Sequence, residues 1–154
     1  MQTERYRTTR QRAAAAVAAG AAVGAVATNV PMVVAGLLYI GEPGGFESQH
    51  IPFLLYMVFI AFIVWTVGLV LVGVPIWWLL HKKGLRSWWV AVLCGAIAGF
   101  VGAFALSLAL TLPIESASFG WQDLVLGAVE IGVYGAIVAA VIWRTAYRRV
   151  EQGA

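Results

Sequence analysis

The sequence predicts an all-α fold: a polytopic membrane protein built as a four-transmembrane-helix antiparallel bundle, with both chain ends on the cytoplasmic side. Three observations predict it. Hydrophobic residues make up 62% of the 154 residues and charged residues 11%, against roughly 45–50% and 25% in soluble domains. Four apolar runs each exceed the ~20 residues a helix needs to cross a hydrocarbon core about 30 Å thick. The basic residues then fall in every second segment between those runs, the pattern that orients helices in a bilayer.

Residues 1–12 form a basic N-terminal segment containing Arg5, Arg7, Arg10 and Arg12. The Ala-rich run behind them resembles a secretory signal, but the apolar stretch extends from Ala13 to Ile40. That outruns an h-region, and the segment is read as a retained first helix, with cleavage after the Ala-rich part as the alternative. The Arg residues are not adjacent, so they form no twin-arginine signal. The first span, 13–40, leaves through a Pro-Gly-Gly turn in residues 41–50. The second span, 51–80, has Pro52 in its first turn, where a missing N–H costs nothing. After the loop 81–86, Ser87 is placed to cap a third helix. That span, 87–112, ends before Pro113. A third short connection precedes the fourth span, 121–147, and residues 148–154 remain as a tail. Connections this short predict that sequential helices are antiparallel neighbours.

Orientation follows from counting charges. The N-terminal segment holds four Arg; Lys82, Lys83 and Arg86 fill the middle loop; Arg144, Arg148 and Arg149 mark the C-terminal end. All ten basic residues thus fall on one side, while Glu42, Glu47, Glu115 and Asp123 lie on the other. Segments rich in Lys and Arg stay in the cytoplasm, so the chain is expected in the cell's inner (plasma) membrane, multi-pass, with both termini inside. Tyr39, Phe53, Phe119 and Trp121 mark the outer boundary, and Trp77, Trp78, Trp88, Trp89, Trp143 and Tyr147 the inner one. Trp65 is the exception, sitting in mid-span.

The net charge of +3 belongs to orientation rather than to nucleic-acid binding, because helices in lipid leave no groove-sized surface. The expected partners are the lipid bilayer and either further copies of the chain or another membrane protein. Cys94 is the sole cysteine, which excludes an intrachain disulfide.

In lipid, helices associate by close approach through small side chains. Three spans carry such a ridge at i+4 spacing: Ala16, Gly20, Gly24 and Thr28 in the first; Gly95, Gly99, Ala103 and Ser107, with flanking Ala91 and Thr111, in the third; Ala128, Gly132, Ala136 and Ala140 in the fourth. The second span is bulky. Spans one, three and four are therefore expected to pack together, with the second covering one side.

Glu130 is the most informative residue, about 13 Å below the outer boundary at 1.5 Å per residue. A charged carboxyl there costs roughly 2.5–3.5 kcal/mol on insertion scales, so it should face the bundle interior, line a wet cavity or be protonated. Tyr134 shares its face, and Asn29, at a similar depth in the sequence TNVP, is its expected partner. Pro31 cannot donate a backbone hydrogen bond, and freed carbonyls beside Asn29, with Ser107 at a similar level, suggest a polar pocket. Its structural reading is a hydrogen bond that fixes helix register. Its functional reading is a site handling protons or cations, the default for an intramembrane ionisable group.

Other chemistry is sparse. His50 and His81 lie in or beside loops on opposite sides, so no mid-span histidine is placed to ligate haem and no His/carboxylate cluster is spaced for zinc. Cys94 lacks an adjacent base. No cofactor, metal or catalytic residue is expected. The expected function is that of a non-enzymatic accessory, an immunity protein, sensor or complex subunit. The alternative is a small homo-oligomeric ion- or proton-coupled channel or transporter using Glu130 and Asn29.

Overall fold

The computed structural model describes residues 6–7, 9–38, 50–85, 87–111 and 120–149. It is all-helical apart from one two-residue ladder, and four of its helical segments are long and apolar enough to cross a membrane. Helix α1 (Arg10–Leu38) supplies the first span. The second is a continuous helical rod made of α2 (His50–Gly68), a π-helical turn (Leu69–Gly73) and α3 (Val74–Lys82). Helices α4 (Trp88–Thr111) and α5 (Trp121–Ala146) supply the third and fourth. Tyr39, Glu42, Glu47, Arg86, Pro113, Glu115 and Phe119 lie outside the described residues, as do the two loops that contain most of them.

Local chemistry sets the helix ends. The Thr9 hydroxyl accepts the N–H of Arg12 at 3.3 Å, the bond of an N-cap residue. Helix α1 therefore starts at Arg10, within the basic segment rather than at the first alanine. At its far end α1 runs through Pro31 to Leu38. Ser87 accepts the N–H of Ala91 through its carbonyl, which starts α4 at Trp88. In α5, Asp123 Oδ2 accepts the Gly120 N–H at 3.2 Å and places an acidic side chain at the positive end of the helix dipole.

The second span departs most from expectation, because it is interrupted. The Val74 N–H reaches back five residues to the Leu69 carbonyl, the signature of a π turn. Pro75 explains it. A proline inside a helix lacks a donor and its ring clashes with the carbonyl four residues back, here that of Leu71. Inserting one extra residue just before the proline widens the helix and relieves both problems.

The spans form an open ring. Helix α5 is central, packed most extensively on α4 and next on α1; α1 in turn carries α2. Short connections predicted that the second and third spans would also be packed neighbours. They are not: α4 meets the second span only lightly, at the π turn. The reason is which faces interlock. The small-residue faces of α4 and α5 fit so closely that a methyl built on Gly99 would come within 2.7 Å of the Ile131 carbonyl. The second span has no such face toward α4.

Residues Tyr6–Arg7 (β1) pair antiparallel with Arg148–Arg149 (β2), Tyr6 opposite Arg149 and Arg7 opposite Arg148. This ties the chain on either side of the four spans to one end of the bundle. His81 Nδ1 lies 3.3 Å from the Tyr147 hydroxyl, which brings the end of α3 and its Lys82 and Lys83 to the same place. Three basic segments far apart in sequence thus meet at one end, called the basic end below.

Candidate functional site

The polar residues singled out in the sequence do not form one pocket. Asn29 is buried, 7% exposed, yet its amide donates to the Ala25 carbonyl of its own helix at 2.8 Å. Thr28 likewise bonds back to Gly24 at 2.9 Å. Glu130 is exposed on the outer face of α5, where its Oε1 accepts the Tyr134 hydroxyl at 2.5 Å. The expected Asn29–Glu130 pairing is therefore replaced by two bonds, each inside one helix. The physical reason is reach: residues four apart on a helix are neighbours, whereas Asn29 faces the interior and Glu130 faces out. Ser107 is half-buried on α4.

Around Glu130 the surface is apolar. Leu126, Val129 and Val133 are all exposed on α5, and a side chain added at Gly127 would meet nothing within 4 Å. A single carboxyl thus sits in an apolar helix face with open space beside it.

The glycines of the predicted ridges lie at helix contacts, with different partners. Gly20 faces Ile142 and Val138 of α5, while Gly24 lies against the Trp65 ring, where a methyl would approach within 2.5 Å. That contact explains the mid-span tryptophan: its flat ring fills the notch that glycine leaves, and fastens α2 to α1. Gly95 and Gly99 meet the backbone of α5 at Gly135 and Ile131, and Gly132 meets the Ala96 carbonyl of α4. Gly135, absent from the predicted ridge, is tighter still against the Gly95 carbonyl.

Where α4 and the second span fail to pack, a half-open cavity of about 940 Å³ remains. Helix α1 and the inner face of α5 complete its walls. The π turn contributes Leu69, Val70, Val72 and Gly73, and α4 contributes Ala91, Ala98, Gly102 and Leu106. Neither Glu130 nor Asn29 lines it, and neither does Tyr134 or Ser107. Its polar atoms are few. The hydroxyls of Thr28 and Thr66 both bond back to their own helices.

Toward the basic end the cavity is lined by Trp77 and Trp143, members of an aromatic cluster that the sequence did not disclose as one unit. The Trp77 ring stacks on His81 with centroids 5.5 Å apart, and His81 stacks on Tyr147 at 6.4 Å. Trp143 packs against Tyr147 at 5.9 Å, and Ala16, Ala146 and Tyr147 are buried beneath. The Trp77 indole Nε1 is buried with no hydrogen-bond partner. Leaving such a donor unsatisfied costs about 1–3 kcal/mol. The spacing of Trp77 and His81, four residues apart at a span's end, was the available signal; the contact with Tyr147 spans 66 positions and no local pattern carries it.

No protein-family model, curated protein or solved structure matches the chain.

Proposed function

We propose that this chain is a multi-pass protein of the inner membrane with its basic end and both termini in the cytoplasm. We further propose that it acts as a non-enzymatic accessory, docking laterally on another membrane protein through the outer face of α5. Membrane insertion is supported by the second span, whose most apolar stretch has no buried residue and whose Phe53, Leu55, Phe59 and Leu71 are exposed. A face of that size exceeds what water tolerates on a monomer. Orientation is supported by the three basic segments that meet at one end.

Glu130 carries the docking reading. A charged carboxyl at mid-span facing lipid costs roughly 2.5–3.5 kcal/mol on insertion scales, and Tyr134 offers its hydroxyl to one of the two oxygens. A partner helix seated on this face removes the group from lipid and supplies the second donor, and the open surface at Gly127 lets its backbone come close. Native mass spectrometry on tagged protein, extracted in lipid particles from its own membrane, tests this. The expected result is a stoichiometric foreign chain that Gly127→Leu displaces. A bare monomer would sink the reading.

The exposure of Glu130 also favours a second reading, a homo-oligomer in which several copies place this carboxyl around a shared ion or proton path. Asn29, whose amide bonds the Ala25 carbonyl of its own helix, then takes no part in the path. Under this reading the same spectra show only copies of this chain, and Glu130→Gln abolishes flux into vesicles without changing assembly. Unaltered flux in that variant removes it.

A further inference from the structure

We propose that the outer face of α5 receives a transmembrane helix carrying a lysine or arginine at the depth of Glu130, and that the two opposite charges pair inside the membrane. This pairing rests on the docking reading above and deepens it, because it gives the partner a stated charge and rules out a second copy of this chain.

Helix α5 turns Gly132 and Gly135 toward α4, and Val138 and Ile142 toward α1. Another side of it presents Leu126, Val129, Val133 and Ile137, all exposed, around Glu130 and the open position at Gly127. Apolar side chains suit lipid and an apolar helix alike, so they select no occupant. Glu130 does. Ionisable groups inside a membrane pair with one another or face a wet interior, and Glu130 lines no part of the cleft between the second span and α4. The Tyr134 hydroxyl donates to its Oε1. A hydroxyl brings one proton and no charge, so it shares the lone pairs of the carboxylate without cancelling its charge.

Charge complementarity then excludes this chain as its own partner. Residues 13–81 and 87–143 contain no lysine or arginine. The two histidines, His50 and His81, stand at opposite ends of the second span. Along α5 the basic residue is Arg144, about 21 Å from Glu130 at 1.5 Å per residue, well beyond the reach of its side chain. A second copy inserted in the same direction holds its own Arg144 at that same distant level. The cation therefore comes from a different protein. A lysine or arginine at mid-span is as costly alone as a carboxylate, so the partner gains from the same contact. Gly127, almost one turn before Glu130, lets the backbone of that helix approach closely.

The test uses the full chain in phosphatidylcholine vesicles, with synthetic single-span peptides of leucine and alanine that differ at one central residue, Lys or Gln. Association is read as energy transfer between a fluorophore on a C-terminal tag of the chain and another on the peptide. The natural protein should hold the Lys peptide about tenfold more tightly, the scale of a polar bond between helices in lipid. Glu130→Gln removes that preference, and Glu130→Lys turns it toward a peptide with a central Glu. Gly127→Leu weakens both peptides, while helicity stays constant in every variant because both positions lie on the exposed face. Equal affinity of the natural protein for the Lys and Gln peptides overturns the proposal. So does a preference that survives Glu130→Gln, binding indifferent to Gly127→Leu, or self-association that shuts out both peptides. The native mass spectra separate the two levels. A bare monomer sinks the docking reading, whereas a stoichiometric foreign chain with no lysine or arginine at mid-span sinks only the ion pair.

Discussion

Gly99 and Gly102 lie one turn apart on α4 and meet opposite surroundings. A methyl on Gly99 would press on the Ile131 carbonyl at 2.7 Å, while one on Gly102 would meet nothing within 4 Å. Backbone cannot yield as a flexible side chain can, so Gly99→Ala should destabilise the α4–α5 pair by about 1–3 kcal/mol, the usual cost of overpacking. Gly102→Ala should be neutral or gain up to about 1 kcal/mol from helix propensity. Reversible unfolding in mixed micelles, followed by the tryptophan signal, measures both; equal effects would mean that α4 and α5 do not meet through Gly99. At this scale much was legible, since the i+4 ridge led to Gly95, Gly99 and Gly132. Gly135 escaped because it stands three residues from Gly132 rather than four, and the ridge was followed through Ala136. The polar site was least legible. Position along each span set the depths of Asn29 and Glu130 but not their azimuths, and a mid-span carboxyl was expected to turn inward.

The second span shows how one residue resets an element. Apolar content alone read 51–80 as an unbroken helix, since Val and Leu continue on both sides of the interruption. Pro75 was the overlooked signal, and its position just beyond the π turn ties cause to effect. One extra residue rotates everything beyond it by about 100° relative to a regular helix of 3.6 residues per turn. That rotation aims Trp77 and His81 at Tyr147. Pro75→Ala should let the turn revert to α-helix and swing both rings away. In a Cys94→Ser background, cysteines at 81 and 147 should be joined by a short bismaleimide when Pro75 is present, and markedly less in the Pro75→Ala variant. Cross-linking unaffected by the substitution would show that tertiary packing, not the proline, holds the π turn. Helix limits shifted for simpler reasons, as at Thr9, whose cap draws α1 back into the basic segment.

For the whole molecule, four apolar runs were enough to count spans, because each must satisfy its own backbone hydrogen bonds if it crosses a bilayer. Their order around the ring was not legible, since it depends on which faces interlock, and the gap between the second span and α4 follows from that order. Orientation is the property that joins all scales. The ladder between Tyr6–Arg7 and Arg148–Arg149 and the His81–Tyr147 contact force the N-terminal, middle and C-terminal basic segments to share one side, whichever side that is. In the proposed orientation each arginine or lysine near an anionic inner surface gains about 1 kcal/mol, which is the bias that the labelling below tests. Single cysteines in the Cys94→Ser background separate the two orientations. Lys83→Cys and Ala154→Cys should react with a membrane-impermeant maleimide only after the cells are opened, and Gly45→Cys should react from outside intact cells. If 83 and 154 reported opposite sides, the shared basic end would be refuted. If both were labelled from outside while 45 was protected, the bundle would stand and only its orientation would be reversed.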